Sequence, residues 1–272
     1  MKKKRLSSPF ALFVYIVILI ALLAYIFDPT SPRTEESEMT PSSTKNKRVT
    51  IEKDESSSIF EQIKEKDLSE VDFNERLGKI GAKVGDKVFI RIFKNESLLE
   101  VWIKPDYEYV LFKRYPICKY SGYLGPKLKE GDRQSPEGFY KVTKNLLNPK
   151  SKYHLAFNLG YPNAYDKAHK RTGSYLMVHG ECVSIGCYAM TNKKIEEIYT
   201  LVEGALQKGQ KYVQVHAYPF YMTSENMAAY QDSKWYDFWS ELKEGYDYFE
   251  SEKLPPLIKV KNKHYTIHEA NE

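Results

Sequence analysis

Residues 179–187 read His-Gly-Glu-Cys-Val-Ser-Ile-Gly-Cys, a histidine, a serine and a glycine-supported cysteine within one loop-sized stretch. A cysteine becomes a strong nucleophile when an imidazole nearby takes its proton. Gly186 lets the backbone bend tightly before Cys187, so the Cys187 amide can aim at a developing oxyanion. Cys187 with His179 as base therefore reads as an acyl-transfer site. Two plainer readings stand beside it. One is a buried thiol next to a satisfied histidine. The other is a zinc site drawn from His179, Cys182, Cys187 and His216, which lacks the paired short spacings of zinc modules. No metal and no cofactor is assigned, and neither familiar glycine-rich phosphate loop occurs.

The three cysteines are Cys118, Cys182 and Cys187. An odd count in an exported chain leaves one thiol free. Cys182 and Cys187 can bridge each other, or Cys118 can pair with either. An unpaired Cys182 would pack as a small hydrophobe. His216 reads as structural, whereas Gly160-Tyr-Pro-Asn163 is either a plain turn or a substrate loop.

These residues need a frame. Lys87–Phe93, Leu98–Ile103 and Glu108–Phe112 are short apolar runs separated by Asn95-Glu96-Ser97 and Pro105-Asp106, the pattern of an antiparallel meander. Gly138–Thr143, Ser174–His179 and Tyr212–His216 read as further strands, the second delivering His179 at its end. Ile195, Ile198, Val202 and Ala205/Leu206 share one helical face, which Thr191 or Asn192 caps and Gly209 ends. A second helix, from about Ser224 to Phe249, carries Trp235, Phe238, Trp239, Leu242, Tyr246 and Phe249 on one stripe, for packing on the body or for a membrane or partner. The expected fold is mainly β (α+β), a β-sandwich with flanking helices rather than a parallel α/β sheet.

The N-terminus reads Met1-Lys-Lys-Lys-Arg5, then apolar from Phe10 to Phe27. That run is near the bilayer-spanning length of about 20 residues, and its basic flank places the rest outside the cytoplasm. An uncleaved signal anchor is preferred over a signal peptide, because no small-x-small site ends the run. Residues 1–27 are thus the N-terminal transmembrane/signal segment, 28–58 a disordered linker, 59–86 a helical lead-in, 87–222 the catalytic domain and 223–272 a C-terminal helix and tail. Of the net charge of +5, Lys2, Lys3, Lys4 and Arg5 supply four. The body is nearly neutral and offers no electrostatic footprint for nucleic acid.

Several blocks resemble the YkuD-type L,D-transpeptidase catalytic domain, most closely its YafK-like branch. They are Ser121-Gly-Tyr-Leu-Gly-Pro126, Gly131-Asp-Arg-Gln-Ser-Pro-Glu-Gly-Phe-Tyr140, Asn158–Asn163, Met177-Val-His-Gly180 and Val183-Ser-Ile-Gly-Cys-Tyr-Ala-Met190. The resemblance covers about Val88 to Phe220, roughly half of the chain. It implies a YkuD-like β-sandwich acting on peptidoglycan stem peptides by acyl transfer through a cysteine thioester, with a wall-linked envelope lipoprotein as a further partner in some members. It places the protein on the periplasmic side of the cell envelope. Carried over, Cys187 is the nucleophile, His179 its base and the Gly180 carbonyl the orienter of that base. Gly186 and Cys187 N–H form the oxyanion hole, and Ser184 steadies the loop.

Two positions depart from the family. Where the wider family has an arginine two residues after the cysteine this chain has Ala189, and His179 and Cys187 stand only eight residues apart. Arg171 and Arg133 are the candidate replacements for binding a substrate carboxylate. Tyr188 and Glu137 are further substrate-binding candidates, Glu137 having bonding to backbone in its turn as the plainer role. Three readings follow: a transpeptidase, a hydrolase of the same fold that releases wall-linked lipoprotein or cleaves 3→3 links, and a non-catalytic peptidoglycan-binding module.

Overall fold

The structure, a computed structural model, describes residues 72–270. The N-terminal segment, the linker and the lead-in up to residue 71 lie outside the described residues. Among the described residues no helix is long and apolar enough to cross a membrane.

In chain order the strands are β1 (Lys87–Phe93), β2 (Leu98–Lys104), β3 (Val110–Pro116), β4 (Gly138–Val142), β5 (Leu147–Ser151), β6 (His154–Asn158), β7 (Met177–His179), β8 (Tyr188–Ala189), β9 (Val213–Tyr218), β10 (Leu257–Lys261) and β11 (His264–His268). The helices are α1 (Phe73–Lys79), α2 (Ala164–Ala168), α3 (Asn192–Gln207), α4 (Ser224–Ala229) and α5 (Tyr236–Glu252). One sheet has the order β3-β2-β1-β9-β4, a second β5-β6-β7-β8, and β10 and β11 form a hairpin. The expected meander is present as antiparallel β1, β2 and β3. Both larger sheets are nonetheless mixed, because β9 lies parallel to β1 and β8 parallel to β7. The loop between His179 and Tyr188 joins β7 to β8, whereas β1 and β9 are separated by all the elements from β2 to α3.

Six of the seven residues of β1 are buried, because both faces of the strand are covered. Val88, Ile90 and Ile92 join a core with Ile195, Ile198 and Val202 of α3, while Phe89 and Phe93 face the other way into aromatic clusters containing Phe249 and Tyr246 of α5. Strand alternation thus divides one apolar run between two cores. Arg91 shares the second face. Its guanidinium lies 4.8 Å from the Phe249 ring centre and 5.0 Å from that of Trp102, and its charge is met by Glu100 at 2.7 Å and Glu250 at 2.6 Å.

The expected helix from Ser224 to Phe249 is two helices. Tyr230 caps α4, Ser233 N–H donates to the Tyr230 carbonyl, and the Ser233 hydroxyl accepts from Trp235 N–H. Ser233 thereby offers the backbone a turn in place of helix. The aromatic stripe of α5 packs on the sheet, with Phe238, Trp239, Leu242, Tyr246 and Phe249 all buried. The C-terminal helix therefore shares the interior of the domain. Phe249 is fully buried between Phe89, 4.6 Å away, and Trp102, 4.9 Å away. Phe249→Ala should cost about 3–5 kcal/mol, as large-to-small changes in aromatic cores do. Thermal unfolding should register this as a fall of roughly 6–20 °C for a domain of this size; an unchanged midpoint would show that α5 adds nothing to the fold.

Candidate active site

The site is built on the short parallel pair β7–β8, in register Val178↔Tyr188 and His179↔Ala189. Val178 and Tyr188 are fully buried in the core. Alternation then turns Met177, His179, Cys187 and Ala189 to the opposite face, with His179 and Cys187 as diagonal neighbours. Cys187 is a free cysteine. It borders a cavity of about 540 Å³ together with Gly186, Tyr175, Tyr153 and Lys127. The imidazole of His179 is buried and stacks at 4.7 Å on the ring of Tyr153, a residue that borders the cavity.

His179 Nδ1 is hydrogen-bonded to the Gly180 carbonyl. A carbonyl only accepts, so Nδ1 carries the proton and Nε2 is left with its lone pair. Burial lowers the His179 pKa, outweighing the Gly180 bond and the charge of Glu181. Burial also raises the Cys187 thiol, against the pull of the Met177 amide and of Lys127. The S–H group donates to the Tyr175 carbonyl at 3.6 Å. Both shifts favour the neutral thiol and the neutral imidazole.

Gly180 passes close to α3. A Cβ there would sit 2.7 Å from Asn192 Oδ1 and 2.8 Å from the Tyr153 carbonyl. Asn192 caps the loop in the other direction, its Oδ1 accepting from Glu181 N–H at 2.9 Å. Gly186 adopts φ +154°, open to glycine and strained for any residue with a Cβ.

Ser184 spends its whole hydrogen-bonding capacity on the loop. Its hydroxyl donates to the Cys187 carbonyl at 2.7 Å and accepts from Gly186 N–H at 3.1 Å. With that one proton used, the 2.8 Å contact with Ser121 Oγ is a donation from Ser121. The Gly186 N–H is thus engaged inside the loop by Ser184, whereas the Cys187 N–H is the other donor expected of that pair. Ser135 Oγ donates to the same Cys187 carbonyl at 3.1 Å.

The other end of the loop is stapled by a Cys118–Cys182 disulfide. This resolves the pairing alternatives and removes Cys182 from any zinc set. Cys118 and Lys119 N–H both donate to the Ala189 carbonyl, and Ala189 N–H returns a bond to Lys119. His216 is fully buried on β9, its ring against Phe89 and Phe139.

The four candidate substrate contacts lie elsewhere. Arg171 is buried, paired with Asp166 at 2.9 Å and stacked over Tyr165 and Phe238, so its charge is spent inside the fold. Arg133 is exposed at a positive-φ position and is not among the residues bordering the cavity. Tyr188 is fully buried, its hydroxyl donating to the Pro136 carbonyl at 2.7 Å. Glu137 is buried and bonded to Lys94, the Gly125 amide and Trp239, which extends the backbone-bonding role read from its turn. Two cations do border the cavity: Lys127, held by the Lys129 carbonyl at 2.9 Å and by Asp132, and Lys152, whose Nζ lies 5.2 Å from the Tyr153 ring centre. Nothing about a lysine after Gly-Pro marks it in sequence. Ser121 and Ser135 lay in the recognised blocks, but only their shared contact with the 184–187 loop assigns them a part.

The YkuD model, described as the L,D-transpeptidase catalytic domain, matches residues 87–215. Proteins named "Putative L,D-transpeptidase YafK" from Escherichia coli strains K12 and O157:H7 are each 54% identical over 184 residues, 68% of this chain and 75% of theirs. Among solved structures, the helical cell shape determining protein Pgp2 from Campylobacter jejuni aligns with 70% of this chain and 81% of its own, at 20% identity and a TM-score of 0.39. The matched span contains both His179 and Cys187, and with a relative 54% identical across three quarters of its length the chain belongs to the YkuD L,D-transpeptidase family.

Proposed function

We propose that this protein carries out L,D-transpeptidase-type acyl transfer on peptidoglycan stem peptides through a Cys187 thioester. The observation that carries the reading is a free thiol and a histidine with Nδ1 pinned by Gly180, set on one face of a parallel strand pair beside a 540 Å³ cavity. His179 Nε2 takes the thiol proton as Sγ attacks the stem-peptide carbonyl. The Cys187 N–H stabilises the oxyanion. Collapse expels the amine of the terminal D-residue, or of an attached lipoprotein, and the His179 imidazolium gives that amine its proton. An acceptor amine or water then attacks the thioester, surrenders a proton to His179 and frees the acyl group, and the thiol is restored.

We place this activity on the periplasmic side of the envelope, tethered through residues 1–27. The Cys118–Cys182 disulfide supports that placement, since such bonds persist in oxidising compartments.

The direction of resolution is read from sacculi that carry both 3→3 cross-links and bound lipoprotein. These are incubated with the protein or its Cys187→Ala variant, digested with a muramidase and analysed by mass spectrometry. New cross-linked dimers or exchanged D-residues from the native protein alone are expected for transpeptidation. Freed lipoprotein with monomeric stems would assign hydrolysis instead, and no Cys187-dependent change would leave a binding module.

The pKa directions give a pH profile. His179 must be neutral to act as base, so the acid limb of kcat/KM should have its midpoint below the usual histidine value of about 6.5. Iodoacetamide needs the thiolate, so alkylation of Cys187 should climb with pH to a midpoint above the usual thiol value of about 8.5. A thiolate already formed at pH 6 would contradict the neutral pair and favour a standing ion pair.

A further inference from the structure

Lys94, directly after β1, has a fully buried side chain. Its three N–H groups are shared among four oxygens, the carbonyls of Tyr123 at 2.7 Å, Gly125 at 3.0 Å and Ser135 at 3.1 Å, and Glu137 Oε1 at 3.0 Å. Glu137 Oε1 also accepts the Gly125 N–H at 2.7 Å, and Oε2 accepts the indole N–H of Trp239 at 2.8 Å. A buried ammonium is expensive, and an apolar residue of similar volume often serves stability as well. What an apolar residue cannot do is hold three carbonyls of one irregular loop to a single point.

That loop meets the nucleophile through two consecutive residues. Ser135, whose carbonyl Lys94 binds, sends its hydroxyl to the Cys187 carbonyl at 3.1 Å. Pro136, the next residue, accepts the hydroxyl of Tyr188, the neighbour of Cys187, at 2.7 Å. The third residue is Glu137 itself. Three successive residues therefore connect the buried ion pair to the peptide units on which Cys187 and its N–H are mounted, and Trp239 extends the connection to α5.

We propose that the Lys94–Glu137 ion pair is a positioning device for the nucleophile, acting through Ser135 and Pro136 to set where the Cys187 Sγ and N–H lie relative to a bound carbonyl. This rests on the reading that Cys187 is acylated, and concerns residues that do not themselves touch substrate. A displacement on the order of 1 Å at a reacting group costs about 10²-fold in rate, so a loop loosened at Ser135 should lose acylation while its thiol stays reactive.

The test compares two reactions of the same sulfur in the full-length protein. Acylation by a carbapenem builds an oxyanion and needs the N–H in place; alkylation by iodoacetamide does not. Lys94→Met, Ser135→Ala and Trp239→Phe would be measured beside the native protein by intact mass against time, with circular dichroism as the check on folding. Ser135→Ala keeps the ion pair and Trp239→Phe keeps the ring, so both remain informative should Lys94→Met fail to fold. The expected result is acylation slowed about 10- to 100-fold with alkylation within twofold of native. Folded variants that acylate at the native rate would overturn the positioning role alone. Equal losses in both reactions would overturn it in favour of general loosening. A native protein that alkylates but never acylates would overturn the acyl-transfer reading and this inference with it.

Discussion

Everything in the candidate site depends on the register of one very short strand pair. β8 is two residues long, and its pairing with β7 sets Val178 opposite Tyr188. Side chains alternate faces along a strand, so a slip of one residue would bury Cys187 and expose Tyr188. So short a strand cannot hold its register by ladder bonds alone. The fold instead locks it from every side: Met190 N–H donates to the His179 carbonyl, Lys119 and Ala189 exchange backbone bonds, and the Tyr188 hydroxyl reaches Pro136. The disulfide at Cys182 then limits how far the intervening loop can drift.

The interior is unusually rich in charge for a domain that could have used aliphatic packing. Arg91–Glu100, Lys94–Glu137 and Arg171–Asp166 are three buried pairs, each with further hydrogen bonds on at least one partner. Desolvation is the largest influence on Lys94, lowering its pKa in spite of Glu137. It likewise raises Asp166 against the pull of Arg171. Such pairs add little net stability over apolar replacements, yet each leaves an uncompensated charge if one partner is removed. Two of them join segments remote in sequence, Lys94 with the loop at 123–137 and Arg91 with α5 through Glu250, whereas Arg171 and Asp166 are five residues apart.

The readable part of the sequence was the part whose pattern is local. β1 to β3 and α3 showed themselves because apolar runs, turn residues and helical spacing all sit within a few residues of one another. His179, Gly180, Ser184, Gly186 and Cys187 were legible as a group because they share one loop. What escaped depended on contacts between distant segments. Arg171 looked available for substrate although Asp166 and Tyr165 stand only five and six residues before it, because their turn toward it and the covering ring of Phe238, remote in sequence, are set by the fold. The parallel neighbours of β1 and β7 arise from crossovers that single-strand patterns do not encode. The break between α4 and α5 turns on one serine hydroxyl competing for backbone. Gly186 was read correctly as a bend, but its N–H went to Ser184, because in a loop this tight a donor rarely stays uncommitted.

The electrostatics of the pair also bear on why the loop needs so much support. In a cysteine site with a standing thiolate–imidazolium pair, mutual attraction helps hold the two side chains together. Here burial pushes the histidine down and the thiol up, which favours the neutral form of each and works against such an attraction. The S–H points instead at the Tyr175 carbonyl, a direction it must leave before its proton can reach Nε2. Alignment must then come from the scaffold. The Gly180 bond fixes the imidazole, and two serine hydroxyls converge on the Cys187 carbonyl and fill both of its lone pairs. A site whose charges appear only as the reaction proceeds gains from dipoles already in place, since they need no reorganisation when the oxyanion forms. The density of hydrogen bonds around Cys187 is the structural counterpart of this preference for the neutral forms.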